Sequence, residues 1–385
     1  MPDPATVIES IQILGILVGV VFTLMMGIGL LSSFLYERDR AGERAENVRL
    51  VIPTVASEHV RPALLETIEH TVEMFSDFEV YCILDEGSDL QGELIRRDGI
   101  STVVVPDSYN CQAVAKGRAI NYFIETVVAE RPEYWYGFID DDNHILDDDF
   151  LYEIPQYEAR GYRAMNPVLV PRLGQSVVTF MTDHIRFVDD ISIYRLFTGV
   201  LGKPYLGFHG ELLCARGDVL VDIGFDRETI VEDFAFALEL VKREIPVWQS
   251  TTRVSVLSPH TVTSFLKQRS RWYLGIARYL PKAPPLSQLV VGLRITVWTI
   301  AVTSSWIFFP VWILGYGMTL PVWFLAILTS GSLVYVGTIG LGAWRIGGVR
   351  GAVYLLCLPV YAFIEQIVPL YALWTRETNF IVIDK

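Results

Sequence analysis

No charged side chain occurs between Ile11 and Tyr36, and a helix of that length spans a hydrocarbon core about 30 Å thick. The stretch also lacks the small-residue cleavage site that marks a removable signal, so it is expected to stay as a membrane anchor. Three further apolar stretches follow near Ile295 to Tyr316, Pro321 to Trp344 and Ala352 to Trp374. Together they explain why 51% of the chain is hydrophobic and why its mean hydropathy is +0.36, values too apolar for an ordinary soluble enzyme. The block between them is polar and large enough for one globular domain. The expected plan is a transmembrane helix at 11–36, a cytoplasmic domain at 47–278, an interfacial segment at 279–294, a transmembrane region at 295–374 and a tail at 375–385.

Orientation follows from flanking charge. Arg38, Arg40 and Arg44 come directly after the first stretch, whereas Asp3 and Glu9 precede it, which puts the globular domain on the cytoplasmic side. Pro359, Glu365 and Pro369 interrupt the fourth stretch, leaving crossing, re-entry and interfacial placement open, along with the side of the tail.

A formal net charge of −13 without a basic stripe argues against nucleic acid as a partner. Cys82, Cys111, Cys214 and Cys357 show no C-x-x-C spacing, and they read as reduced packing residues.

Within the polar block, apolar runs at Val48–Pro53, Phe78–Leu84, Thr102–Pro106 and Trp135–Ile139 alternate with helical patterns near Val60–Phe75 and Val114–Val128. Such alternation predicts an α/β fold with a mainly parallel sheet covered on both faces. Ligands of these sheets bind where the chain leaves each strand, and Glu58, Asp85 and Asp140 fall there.

Several local groups then gain meaning. Asp140-Asp141-Asp142 leaves an apolar run, and an extended chain aims Asp140 and Asp142 to one side. Two such carboxylates repel unless a cation lies between them, and hard oxygen ligands suit Mg²⁺ or Mn²⁺ bridging a diphosphate. The alternative is a solvated acidic turn; His144 is either a third ligand or a surface histidine. Asp147-Asp148-Asp149 reads as a helix N-cap. Glu232-Asp233 opens an amphipathic helix, where it complements the helix dipole or supplies a general base with an orienting neighbour. Lys116 either reaches diphosphate oxygens or is a solvated helix charge. The loop Tyr205 to Gly210, with His209 and Gly210, reads as the lining of an acceptor pocket or as a plain turn. Gln268-Arg269-Ser270-Arg271-Trp272 packs two guanidiniums, an amide and an indole ahead of the apolar region, suited either to an anionic ligand at a membrane edge or to anchoring a helix there.

In order along the chain, Pro53-Thr54 with Glu58, Asp85, Lys116-Gly117-Arg118, the D-x-D at Asp140 to Asp142, Glu232-Asp233 and Q-x-x-R-W at Gln268 to Trp272 resemble the landmarks of membrane-bound family 2 glycosyltransferases of the GT-A fold. A narrower likeness, to egghead-type β-1,4-mannosyltransferases, lies in Val104 to Tyr109, Thr182 to Arg186, Leu201 to Pro204, Ser258 to Thr261 and Asn379 to Lys385. The resemblance implies inverting, metal-dependent transfer of mannose from GDP-mannose to a lipid-linked sugar acceptor. It assigns Pro53, Thr54, Glu58, Asp85, Lys116, Asp140, Gln268, Arg271 and Trp272 to the donor, with Trp272 also facing the acceptor. Asp233 becomes the base, with Glu232 beside it, and Asp140 and Asp142 hold the metal. Three consecutive aspartates, and Gly117 where alanine is usual, depart from the pattern. A processive polysaccharide synthase using a UDP-sugar is the rival expectation, and a non-catalytic membrane scaffold a remoter one.

Overall fold

The computed structural model describes residues 4–303, 314 and 321–376. Helix α1 (Pro4–Leu35) precedes strand β1 (Val48–Pro53), α2 (Arg61–Met74), β2 (Glu79–Asp85), the single turn α3 (Gln91–Leu94), β3 (Ser101–Val105), α4 (Lys116–Thr126) and β4 (Trp135–Ile139). The second half runs through β5 (Asn143–Ile145), α5 (Asp149–Ala159), β6 (Ala164–Arg172), α6 (Val177–Asp189), β7 (Leu212–Arg216), α7 (Gly217–Ile223), α8 (Glu232–Lys242) and β8 (Val247–Leu257). A π-helical segment, Asp190–Val200, continues α6.

The strands form one sheet in the order β3-β2-β1-β4-β7-β6-β8-β5. Its first four are parallel, as the alternation predicts, because each returns through a helix on a face. Beyond β4 the expectation of a mainly parallel sheet fails: β7 runs antiparallel to both β4 and β6, and β5 antiparallel to β8, with only β6 and β8 parallel. The sheet is mixed because the chain comes back along β7 directly beside β4.

Alternation within β1 sorts the two faces. Leu50 and Ile52 join α2 (Leu64, Ile68) and α5 (Phe150, Ile154) on one side, whereas Val51 joins α4 (Phe123), α7 (Leu220) and α8 (Phe236) on the other. Both faces are therefore dry, which is why β4 is buried at every position. Each fully buried side chain of this size contributes about 1.5–3 kcal/mol. Asp147 to Asp149 do not cap α5 as expected. Asp148 at the N-cap makes no side-chain capping bond, the Phe150 amide donates to Thr252 Oγ1 at 2.7 Å, and Asp147 and Asp149 pair with Arg253 and Arg40 at 3.1 and 2.7 Å.

Residues Gln12–Leu35 of α1 form a 24-residue stretch of hydropathy 2.5, long and apolar enough to cross a membrane. Its far end is fastened to the domain. Tyr36 Oη donates to the Gln249 carbonyl at 2.8 Å, and Ser32 Oγ donates to the Ser192 carbonyl at 3.3 Å. Gly29 makes this contact possible, since a Cβ there would lie 2.9 Å from the Ile193 amide nitrogen.

After β8 the chain continues into α9 (Val262–Tyr279), α10 (Pro285–Thr303), α11 (Val322–Ile346), α12 (Gly348–Leu356) and α13 (Leu358–Thr375). Helix α10 begins inside the segment expected to be interfacial, and the rest of the stretch to Tyr316, like the tail from 377, lies outside the described residues. The apolar stretch Ala352 to Trp374 is two helices bent by 55° at Cys357. Pro359 opens the second helix, where its missing amide costs nothing.

Candidate active site

The C-terminal ends of β1, β2 and β4 open into a cavity of ≈ 760 Å³. The strand ends line it with Pro53, Thr54, Asp85 and the three aspartates Asp140 to Asp142, and α1 (Gly15, Phe22), α10 (Trp298, Ala301) and α13 (Leu358, Ala362) line it with apolar groups. Strand geometry sets the polar lining, because Asp140 directly follows the last residue of β4 and Thr54 the last of β1. Thr54 Oγ1 donates to Asp141 Oδ2 at 2.6 Å, tying the two strand ends together.

Lys116 stands at the first position of α4, behind Ala115 held at φ +48°. Its ammonium pairs with Asp140 and donates to the Gly210 carbonyl at 3.0 Å. Burial disfavours its charge, yet Asp140, Glu232 and Asp233 outweigh that and raise its pKa. Asp140 and Glu232 are themselves pushed up by burial, with Lys116 opposing the shift.

Asp233 sits in the first turn of α8, where Oδ1 accepts from the Phe234 amide at 2.7 Å. Burial, then the charge of Glu232, lifts its carboxyl from 3.8 to about 7. That is the range in which a carboxylate accepts a proton efficiently near neutral pH. Gly210 leaves space beside it, for a Cβ at that position would be 3.1 Å from Asp233 Oδ2. His209 also lines the cavity, and its Nε2 is 2.5 Å from Asp190 Oδ1.

Gln268 and Arg271 reach the cavity from α9, and Trp272 is clamped between two arginines, with Arg269 at 4.2 Å and Arg186 at 4.9 Å from its ring. Those arginines pair with buried Asp183 and Glu211. Gln268 Oε1 is buried and accepts no hydrogen bond from the described residues, leaving an acceptor for a ligand hydroxyl.

The structure thus brings to one cavity every residue expected at the site except two. Glu58 is turned to solvent and pairs with Arg61 at 3.2 Å. His144 stacks on His70 at 4.6 Å and contacts Arg172 at 3.1 Å, outside the cavity lining, because β5 pairs it away with β8. Burial, then Arg172, lowers its pKa to about 4. Among the described residues no group of three or more His, Cys, Asp or Glu side chains forms a ready-made metal site, so the expected set of Asp140, Asp142 and His144 is not assembled. The cavity wall still suits a hard cation, since Asp140, Asp141, Asp142, Glu211, Glu232 and Asp233 all line it. Such an ion would draw its remaining ligands from a bound diphosphate.

Sequence reasoning missed Glu211, Arg186, Asp183, Arg294 and Glu365. Asp183 and Arg186 belong to the run Thr182 to Arg186 that carried part of the resemblance, which was the available signal. Glu365 was noted only as an interruption of an apolar stretch.

The family model "Glycosyl transferase family group 2" matches residues 137–363, more than half of the chain. Beta-1,4-mannosyltransferase bre-3 of Caenorhabditis elegans is 24% identical over 308 residues, 74% of this chain and 67% of that one. Beta-1,4-mannosyltransferase egh of Drosophila melanogaster is 24% identical over 311 residues, 74% and 66% of the two chains. The mannosyltransferase PcManGT from Pyrobaculum calidifontis, solved in complex with GDP-Man and Mn2+, is similar in fold with a TM-score of 0.53 and 15% identity, over 96% of this chain and 100% of that one. The mixed α/β sheet is accordingly that of the GT-A glycosyltransferases, and the chain belongs to glycosyltransferase family 2.

Proposed function

We propose that the protein is a membrane-integrated, inverting mannosyltransferase that moves mannose from GDP-mannose onto a lipid-linked sugar. The observation that carries this reading is the single cavity joining the carboxylates at the strand ends to the apolar helices α1, α10 and α13. A water-soluble donor suits the polar lining and a bilayer-borne acceptor the apolar one. The names of the worm and fly relatives support mannose as the sugar, and the ligand solved with the archaeal neighbour fits GDP-mannose as donor. The domain at 47–278 is cytoplasmic on the arginine rule, with α10, α11 and the bent pair α12–α13 embedded behind it.

Asp85 meets the nucleotide, with Arg118 paired to it from α4. Asp140 and Asp142 would hold Mg²⁺ or Mn²⁺, which stabilises charge on the departing diphosphate when bound. Lys116 adds a fixed positive charge there. Asp233 takes the proton of the acceptor hydroxyl through Oδ2 as its oxygen bonds to the anomeric carbon, and the bond from that carbon to the diphosphate breaks on the opposite face. Glu232 keeps the pKa of Asp233 high, and Gln268, Arg271 and Trp272 close the donor side toward the membrane.

A panel of radiolabelled nucleotide sugars, incubated with membranes containing the protein and followed by lipid extraction, tests the reading. GDP-mannose is expected to label a lipid carrying one added sugar, and Asp233→Asn to lower kcat about 10² to 10⁴-fold with GDP binding kept. Labelling by a UDP-sugar alone, or long polymer chains, would replace it with the synthase reading.

A further inference from the structure

Helix α13, otherwise uncharged, carries a carboxylate into the cavity, a placement that is costly unless a partner or substrate uses it. Glu365 lines the cavity, and its Oε2 is buried without accepting a hydrogen bond from any described residue. Its height is fixed: Trp298 Nε1 of α10 donates to the Glu365 carbonyl at 2.9 Å, and Trp298 packs edge-on to Tyr273 of α9 at 5.7 Å. Three arginines of the cavity region each hold a carboxylate partner, Arg186 with Glu211, Arg269 with Asp183 and Arg294 with Asp189. Glu365 Oε2 holds no such partner among the described residues.

We propose that Glu365 is a specificity-determining residue that accepts hydrogen bonds from hydroxyl groups of the acceptor's headgroup, selecting a neutral, sugar-headed lipid over a lipid phosphate. This rests on the glycosyl-transfer reading above. A phosphate brought beside Oε2 would set two negative charges against each other, whereas a sugar hydroxyl brings the donor that Oε2 lacks.

The test uses the full chain in phosphatidylcholine bilayers, with a glucosyl diacylglycerol and a polyprenyl monophosphate as competing acceptors. The unmodified protein is expected to prefer the glucosyl lipid. Glu365→Gln and Glu365→Ala should raise the KM for that lipid about 10-fold or more and narrow the preference over the phosphate, with GDP affinity unchanged. Glu365→Asp should recover part of the preference. An unchanged acceptor KM in both variants, or preference of the unmodified protein for the phosphate, overturns the assignment while sugar transfer itself stands. Loss of GDP binding in both variants makes Glu365 structural and also overturns it. No transfer by the unmodified chain from any nucleotide sugar overturns the underlying reading together with it.

Discussion

On the proposed mechanism, Asp233 and Gly210 make turnover sensitive to a few tenths of an ångström. With its carboxyl lifted from 3.8 to about 7 by burial and by Glu232, Asp233 is ionised only above that range. A base works ionised, so kcat/KM should climb about tenfold per pH unit below pH 7 and level off above it. A rate already flat from pH 5 to 8 would remove Asp233 as the titrating base. Gly210→Ala would set a methyl 3.1 Å from Asp233 Oδ2 and 3.5 Å from Lys116 Nζ. Both are ends of flexible side chains, so the fold should hold while activity falls about 10 to 100-fold through misplacement of the base. Thermal unfolding and turnover measured on the same sample separate the two effects. The acidic landmarks were legible because strand ends are visible as the last residues of apolar runs. Glu58 and His144 were misjudged because spacing cannot report which way a loop or a short antiparallel strand turns its side chains.

Among the elements, α1 does more than supply a long apolar stretch. It grips the π-helical segment that follows α6, and that segment carries Asp190, partner of His209. Gly29→Val should push the two helices apart, costing about 1–3 kcal/mol by overpacking. A lowered unfolding temperature in detergent would register this; an unchanged one would mean the helices do not meet at Gly29. Strands β1 and β4 could be read to the residue, β4 from an unbroken apolar run and β1 from one interrupted only by Arg49. Strand β6 could not, since Pro167, Pro171 and Asn166 disguise it. Asn166 is there for a reason that appears only in three dimensions: it donates to Gln249 at 3.1 Å and accepts from the His209 amide at 2.9 Å. The reversed β7 was equally hidden, because a five-residue strand carries no mark of direction.

At the scale of the molecule, Asp140, Asp141, Asp142, Glu211, Glu232 and Asp233 line a cavity that admits a diphosphate on the proposed reading. Chelator should therefore stop sugar transfer, and added Mn²⁺ or Mg²⁺ should restore it; full turnover in chelator would take the metal out of the reading. The cavity's apolar lining has a different consequence. If, as proposed, the acceptor arrives from the bilayer between α1, α10 and α13, it is counted per unit area of membrane. Its supply is set by surface density and lateral diffusion, so inert phospholipid mixed into the membrane starves the enzyme even when the total amount of acceptor in the tube is unchanged.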